Sequence, residues 1–310
     1  MVNLSHLRSY ERMSSSDIHA LIEIHRTEVK KNLSEMVNVH YPSLITKKDG
    51  EFQKMIELTT KMTIVGRACT EIAGEKFEER RMKISGLFGA CCFLADGFVD
   101  DFGEDASKEY IERFELLLTK GWFEIRTKRE ELFYIVVSRI FAERDVFNTM
   151  VRQAIFWQFM AQKRDIGLRF GMLNFSCLSR SKKLNLFRNC GRDKGGCVIL
   201  VLSLLLVPET TSKYLHLLYT TGMLFQYIDD YGDYHYDRYY NRKTYMNQVI
   251  HPYRTLRRIM DKYIPILYES LPESRGKDIL LTFLITYFVT RLEKHRLEQF
   301  RGKYSWTTYG

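Results

Sequence analysis

Proline is the residue a helix interior tolerates least, because it has no backbone N–H and its ring clashes with the preceding turn. This 310-residue chain has five prolines, Pro42, Pro208, Pro252, Pro265 and Pro272, so more than 160 consecutive residues between the first two contain none. No strand-like alternation bounded by turn pairs runs over comparable lengths. Long helices are therefore expected. At 45% hydrophobic residues the chain can bury a large core, and disorder and collagen-like repeats are excluded.

Apolar periodicity predicts helices over 17–37, 51–74, 77–102, 107–119, 128–142 and 145–164, and again over 211–241, 252–270 and 275–302. The first of them is opened by Ser14-Ser15-Ser16-Asp17, a helix-start signal. A polar, basic stretch over 179–196 interrupts the pattern before the apolar run 197–207, which Pro208 ends. The expectation is one all-α domain over residues 1–310, of about ten helices, with the first 50 or so residues as a helical extension. The run 197–207 is about half of what a bilayer span needs. The N-terminus lacks the apolar region of a secretory signal, so a cytoplasmic protein without a membrane span is expected. The six cysteines show neither CxxC nor paired Cys/His spacing, which leaves zinc and a disulfide framework without support.

The net charge is +9, and its placement says more than its size. Residues 238–310 hold 14 Lys/Arg against six Asp/Glu, and residues 180–194 hold six against one. Two such regions suit a nucleic acid, an anionic membrane surface or a small polyphosphate.

Two acidic clusters discriminate among these partners. In the first, Asp96, Asp100 and Glu104 fall at i, i+4 and i+8, with Asp101 and Asp105 as a second pair beside them. In the second, Asp229, Asp233 and Asp237 repeat that spacing, and Asp230 flanks them. Like charges at i, i+4 cost a helix roughly 0.2–0.5 kcal/mol per pair, so something cationic must offset them. Hard divalent cations with oxygen ligands fit best, Mg²⁺ above all where a substrate supplies phosphate oxygens. An EF-hand fails, because a loop starting at Asp229 places Tyr234 where the turn needs glycine. A di-iron bundle fails for lack of paired Glu-x-x-His.

On these residues the chain resembles the class I isoprenoid synthases, the all-helical superfamily of terpene cyclases, trans-prenyl diphosphate synthases and head-to-head synthases. Asp100-Asp101-Phe102-Gly103-Glu104 matches their Asp-Asp-x-x-Asp/Glu motif. The stretch 229–237 follows the spacing of the cyclases' second motif, and with Phe225-Gln226 it also reads as the Phe-Gln-x-x-Asp-Asp-x-x-Asp of prenyl synthases. The likeness covers about residues 60–310.

The resemblance implies a helical bundle of the class I terpenoid synthase type with a central apolar cavity and three Mg²⁺ at its mouth. Asp100, Asp101 and Glu104 would hold ions on one wall, and Asp229, Asp233 and Asp237 on the other. The substrate would be a prenyl diphosphate, geranyl, farnesyl, geranylgeranyl or longer, ionised with release of diphosphate. Arg188 and Arg192, with Lys183 behind them, are the candidates for a diphosphate-sensing arginine on a helix broken near Gly191. Arg238 and Lys243 follow the second motif, and Arg301 and Tyr304 stand where cyclases often carry an Arg-Tyr pair. Phe88, Phe93, Trp157, Phe225 and Tyr227 are the candidate cavity aromatics, able to face carbocations with their rings. No arginine pair follows the first motif and no basic Gly-Gly-Lys stretch lies near the N-terminus, which favours a cyclase over a chain-elongating enzyme. Prenyl coupling, trans or head-to-head, is the alternative enzyme, and a helical nucleic-acid-binding protein the non-enzymatic one. No nucleic-acid partner is expected under the main reading, and the family makes a homodimer the expected assembly.

Overall fold

The computed structural model describes residues 4–47, 50–100, 103–143, 149–169, 177–209 and 212–305, and the side chains of all but 99–100, 103–107, 212–213 and 299–305 among them. The described residues form helices and connecting turns, with no strand. In chain order the helices are α1 (Ser5–Arg8), α2 (Ser15–His40), α3 (Ser43–Thr46), α4 (Glu51–Ile72), α5 (Glu79–Asp100), α6 (Gly103–Lys120) and α7 (Lys128–Ala142). They continue as α8 (Thr149–Arg169), α9 (Arg180–Leu206), α10 (Ser212–Gly232), α11 (Tyr234–Tyr239), α12 (Tyr245–Gln248), α13 (Pro252–Ser270) and α14 (Arg275–Ser305). No helix among the described residues is long and apolar enough to cross a membrane.

Local chemistry sets the ends. The Ser14 side chain accepts from the Asp17 backbone N–H at 3.1 Å and starts α2, whose Ile18, Leu21, His25, Val29, Leu33 and Met36 form one buried stripe. Thr127 and Glu130 form a capping box at α7. Pro252 occupies the first turn of α13, where its missing N–H costs nothing.

Two expectations change. The basic stretch 179–196 is not an interruption: it is the first part of α9, one continuous 27-residue helix. The break expected near Gly191 is absent, and glycine serves close packing here instead. A Cβ on Gly191 would meet the Tyr227 ring at 3.1 Å, and Gly195 stands directly against Gly222 of α10. The helix predicted over 211–241 is divided, because the chain turns at Asp233 between α10 and α11.

Helix α9 packs most extensively on α10, while α8 covers its other flank and α14 lies against both α4 and α10. The main buried cluster is continuous from Leu7 to Leu292. All six cysteines are free; burial pushes the Cys69 and Cys91 thiols up to about 12, and Cys177 is exposed.

Candidate active site

Helices α4 to α10 enclose an apolar cavity of about 210 Å³. Leu58 and Met62 of α4, Phe88 and Cys92 of α5, Phe114 of α6, Ile140 of α7, Phe159 of α8, Val198 of α9 and Phe225 of α10 contribute to its wall. Its polar lining is short: Asp96, Gln158, Gln162, Lys194, Gln226 and Asp229, with the Tyr110 hydroxyl. Thus each acidic cluster sends one described carboxylate, Asp96 or Asp229, to the same cavity.

Both carboxylates meet cations. Lys194 Nζ lies 3.8 Å from Asp96 and 3.3 Å from Asp165, and its side chain is 12% exposed. Asp165 also accepts from Arg169 Nη2 at 2.6 Å. Burial alone would raise the Asp165 carboxyl, but Arg169 and Lys194 hold it below its ordinary value. Asp229 accepts from the Tyr287 hydroxyl and from Arg291 Nη2, both on α14. Lys61 of α4 completes this group, donating to the Tyr287 oxygen at 2.9 Å and lying 4.4 Å from the ring centre. Against the upward push of burial, Arg291 and Lys61 keep Asp229 ionised. Burial lowers the Lys61 ammonium, and Asp229 opposes that. Asp233 pairs with Lys294 and, at 3.5 Å, with Arg291.

The turn at Asp233 sorts the second cluster. Asp229 and Asp233 share Arg291, whereas Asp237 is buried where its charge acts on Asp230. Burial first, then Asp237 and Asp165, push the Asp230 carboxyl up to about 8, although Gln226 Nε2 donates to it at 2.8 Å. The i, i+4, i+8 spacing thus yields two sets rather than one row of three.

Of the expected first-motif ligands, Asp101 lies outside the described residues, as do the side chains of Asp100 and Glu104. The side chains of Arg301 and Tyr304 lie outside them too. Arg188 and Arg192 are exposed on α9; the Arg188 carbonyl accepts from the Tyr227 hydroxyl at 2.6 Å, and Arg192 pairs with Asp193 at 2.9 Å. Neither is joined to Asp229 or Asp233. Arg238 donates to the Tyr234 hydroxyl at 3.0 Å, and Lys243 lines a different groove.

Of the five candidate cavity aromatics, Phe88 and Phe225 line the cavity. The other three are corrected. Trp157 is 51% exposed, beside the exposed Phe156 on α8. Phe93 lies under the Arg129 guanidinium, 5.7 Å from its ring centre. Tyr227 packs on Tyr245, with its hydroxyl committed to Arg188. Each sits on a helix that also lines the cavity but occupies another face of it.

Lys61, Tyr287, Arg291 and Lys294 went unread in the sequence. The signal available was weak: Tyr287, Arg291 and Lys294 recur at i, i+4 and i+7 on α14, which marks one face without saying what it meets.

Asp229 and Asp233 on one helix end, with Asp96 at the same cavity, are hard oxygen donors of the kind Mg²⁺ takes with substrate phosphate oxygens. Among the described residues no three His, Cys, Asp or Glu side chains already converge as a metal-holding group. Lys194, Arg291 and Lys294 stand against these carboxylates and carry the compensating charge. No protein-family model matches the chain, and no curated protein matches it in sequence.

Proposed function

We propose that the protein is a class I terpene synthase, which ionises a linear prenyl diphosphate and cyclises the resulting cation to a terpene hydrocarbon or alcohol. One observation carries the reading: an apolar cavity whose polar lining combines one carboxylate from each aspartate cluster, Asp96 and Asp229, with Lys194.

The chemistry follows from that combination. The apolar wall takes the prenyl chain, and Phe88 and Phe225 present rings to a positive charge travelling along it. Lys194 lines the polar end, and Lys61, Arg291 and Lys294 stand beside Asp229 and Asp233; these are the groups that would neutralise a diphosphate there. The C–O bond breaks heterolytically, its electron pair leaves on the diphosphate oxygen, and an allylic cation remains. Ring closure spends a chain double bond on that cation, and loss of a proton or capture of water ends the reaction. Mg²⁺, when held by Asp96, Asp229 and Asp233 with the first-motif residues Asp100, Asp101 and Glu104, supplies Lewis-acid charge to the leaving diphosphate. The apolar wall offers few groups that hold water, and the ring faces of Phe88 and Phe225 stand along it beside the cation. The homodimer expected from the family is part of the same proposal, and sedimentation velocity tests it.

Incubation with geranyl, farnesyl and geranylgeranyl diphosphates, each with and without isopentenyl diphosphate, followed by product mass spectrometry, is the test. A product of unchanged carbon number, formed with Mg²⁺ and lost in EDTA and in Asp229→Ala, is the expected result. A longer diphosphate would replace the cyclase by a prenyl-coupling enzyme. No turnover of any of these substrates refutes the enzymatic reading.

A further inference from the structure

The apolar cavity uses only part of the basic residues. The first turns of α9, the short α12 and the first turns of α13 enclose a second groove, of about 770 Å³, that shares no lining residue with that cavity. Five cations line it: Arg180 and Lys183 of α9, Lys243 before α12, and Arg254 and Arg258 one turn apart on α13. No carboxylate lines it, and among the described residues none of the five takes part in an ion pair. Elsewhere the protein pairs such groups, as Arg257 with Asp261 at 2.8 Å on the very same helix. Four of the five, all but Lys183, are exposed around the groove, while Phe187 is buried and Leu184 and Ile259 are half-buried within it.

We propose that this groove binds an anionic amphiphile, a single apolar chain bearing one phosphate or diphosphate group, without any divalent metal. Five like charges with no counter-charge hold a positive potential that a phosphate relieves. The apolar surface between them gains roughly 25 cal/mol per Å² when a chain covers it. The volume lies within the roughly 300–1,000 Å³ typical of small-ligand pockets. A bilayer or a nucleic acid presents its phosphates over an extended surface and needs no apolar floor inside a concavity. The absence of acidic lining also separates this groove from the aspartate site, where anion binding is tied to Mg²⁺.

The test is calorimetric titration of the protein with dodecyl phosphate, below its micelle concentration and in EDTA. Saturable binding of one equivalent is expected, weakened about tenfold or more by Arg254→Glu/Arg258→Glu and measurably by Lys183→Glu. Asp229→Asn, at the other site, leaves the affinity unchanged. Both arginines are exposed, and an unchanged melting temperature confirms that the double variant folds. Equal binding of dodecyl maltoside, or of inorganic phosphate without a chain, overturns the proposal. So does wild-type affinity in the folded double variant, sensitivity to Asp229→Asn alone, or tighter retention on equimolar phosphatidylserine–phosphatidylcholine vesicles or on a DNA duplex. Because the titration excludes metal and uses no prenyl substrate, its outcome is independent of whether the protein turns over prenyl diphosphates.

Discussion

The Gly195→Ala substitution tests the contact on which the cavity mouth depends. A Cβ at 195 would stand 2.5 Å from the Gln226 Cβ and 3.0 Å from the Gly222 carbonyl carbon, with the carbonyl oxygen nearer still. Carbon atoms rest at about 3.5–4.0 Å, so α9 and α10 must separate by about 1 Å along a contact that is otherwise closed. Backbone cannot give way as a long side chain does, and overpacking of this kind costs about 1–3 kcal/mol. For a chain of this length 2 kcal/mol corresponds to a fall of about 3 °C in melting temperature. The control is Gly86→Ala in α5, where a Cβ would meet nothing within 4 Å; helix propensity alone predicts a gain of about 0.5–1 kcal/mol. Differential scanning calorimetry and urea unfolding of the two variants give the comparison. Because Lys194 precedes Gly195 and Asp229 lies two turns beyond Gly222, the same displacement shifts the cation against the carboxylate, and under the proposed activity it is expected to lower Mg²⁺-dependent diphosphate release. Equal stability of Gly195→Ala and wild type, or a loss in Gly86→Ala as large as in Gly195→Ala, refutes the close-approach account.

Glu130→Ala removes a 5%-exposed carboxylate that accepts from Arg113 Nη1 at 2.7 Å and from the backbone N–H groups of Arg126 and Thr127. A cost of about 3 kcal/mol in urea unfolding is expected, and a cost below about 1 kcal/mol contradicts the buried pair. His25 is buried on α2, where desolvation first and Arg67 second lower its imidazole from its ordinary 6.5 to about 4, so the folded protein keeps it neutral while the unfolded chain protonates it. Its contribution is complete above the unfolded value and is lost as pH falls from about 6.5 towards 4. Replacement by Gln is therefore expected to shrink the stability difference between pH 7 and pH 5 by about 2 kcal/mol, and an unchanged pH profile argues against a buried neutral imidazole. Lys194→Met strips Asp96 of its ammonium and leaves Asp165 with Arg169; Mg²⁺-dependent turnover is expected to fall about a hundredfold. Steady-state kinetics with wild-type turnover in that variant would remove Lys194 from the site.

The fold was legible wherever a helix had both a periodic apolar face and chemical end signals. The limits 128–142 and 252–270 that periodicity predicts are those observed, where Thr127 and Glu130 cap one start and Pro252 occupies the first turn of the other. The stretch 179–196 was misread because its charges and glycines weaken local helix preference, while packing of Gly195 and Gly196 against α10 overrides it. The candidate site was legible as carboxylates and illegible as ion pairs. Spacing identifies Asp229 and Asp233 but carries no information on Arg291, some sixty residues later, because which faces of α10 and α14 meet is decided by the whole bundle. Trp157 shows the converse failure: an aromatic residue fits a cavity and an outer face equally well until the helix is oriented.

At 1.5 Å per residue, the unbroken α9 is a rod about 40 Å long. Its first turns wall the basic groove, its middle carries Gly195 against Gly222, and its later turns bear Val198 and Leu205 into the apolar cavity. Held along its length by α10 on one side and α8 on the other, this one straight helix is a shared beam, with the groove built at one end and the apolar cavity at the other.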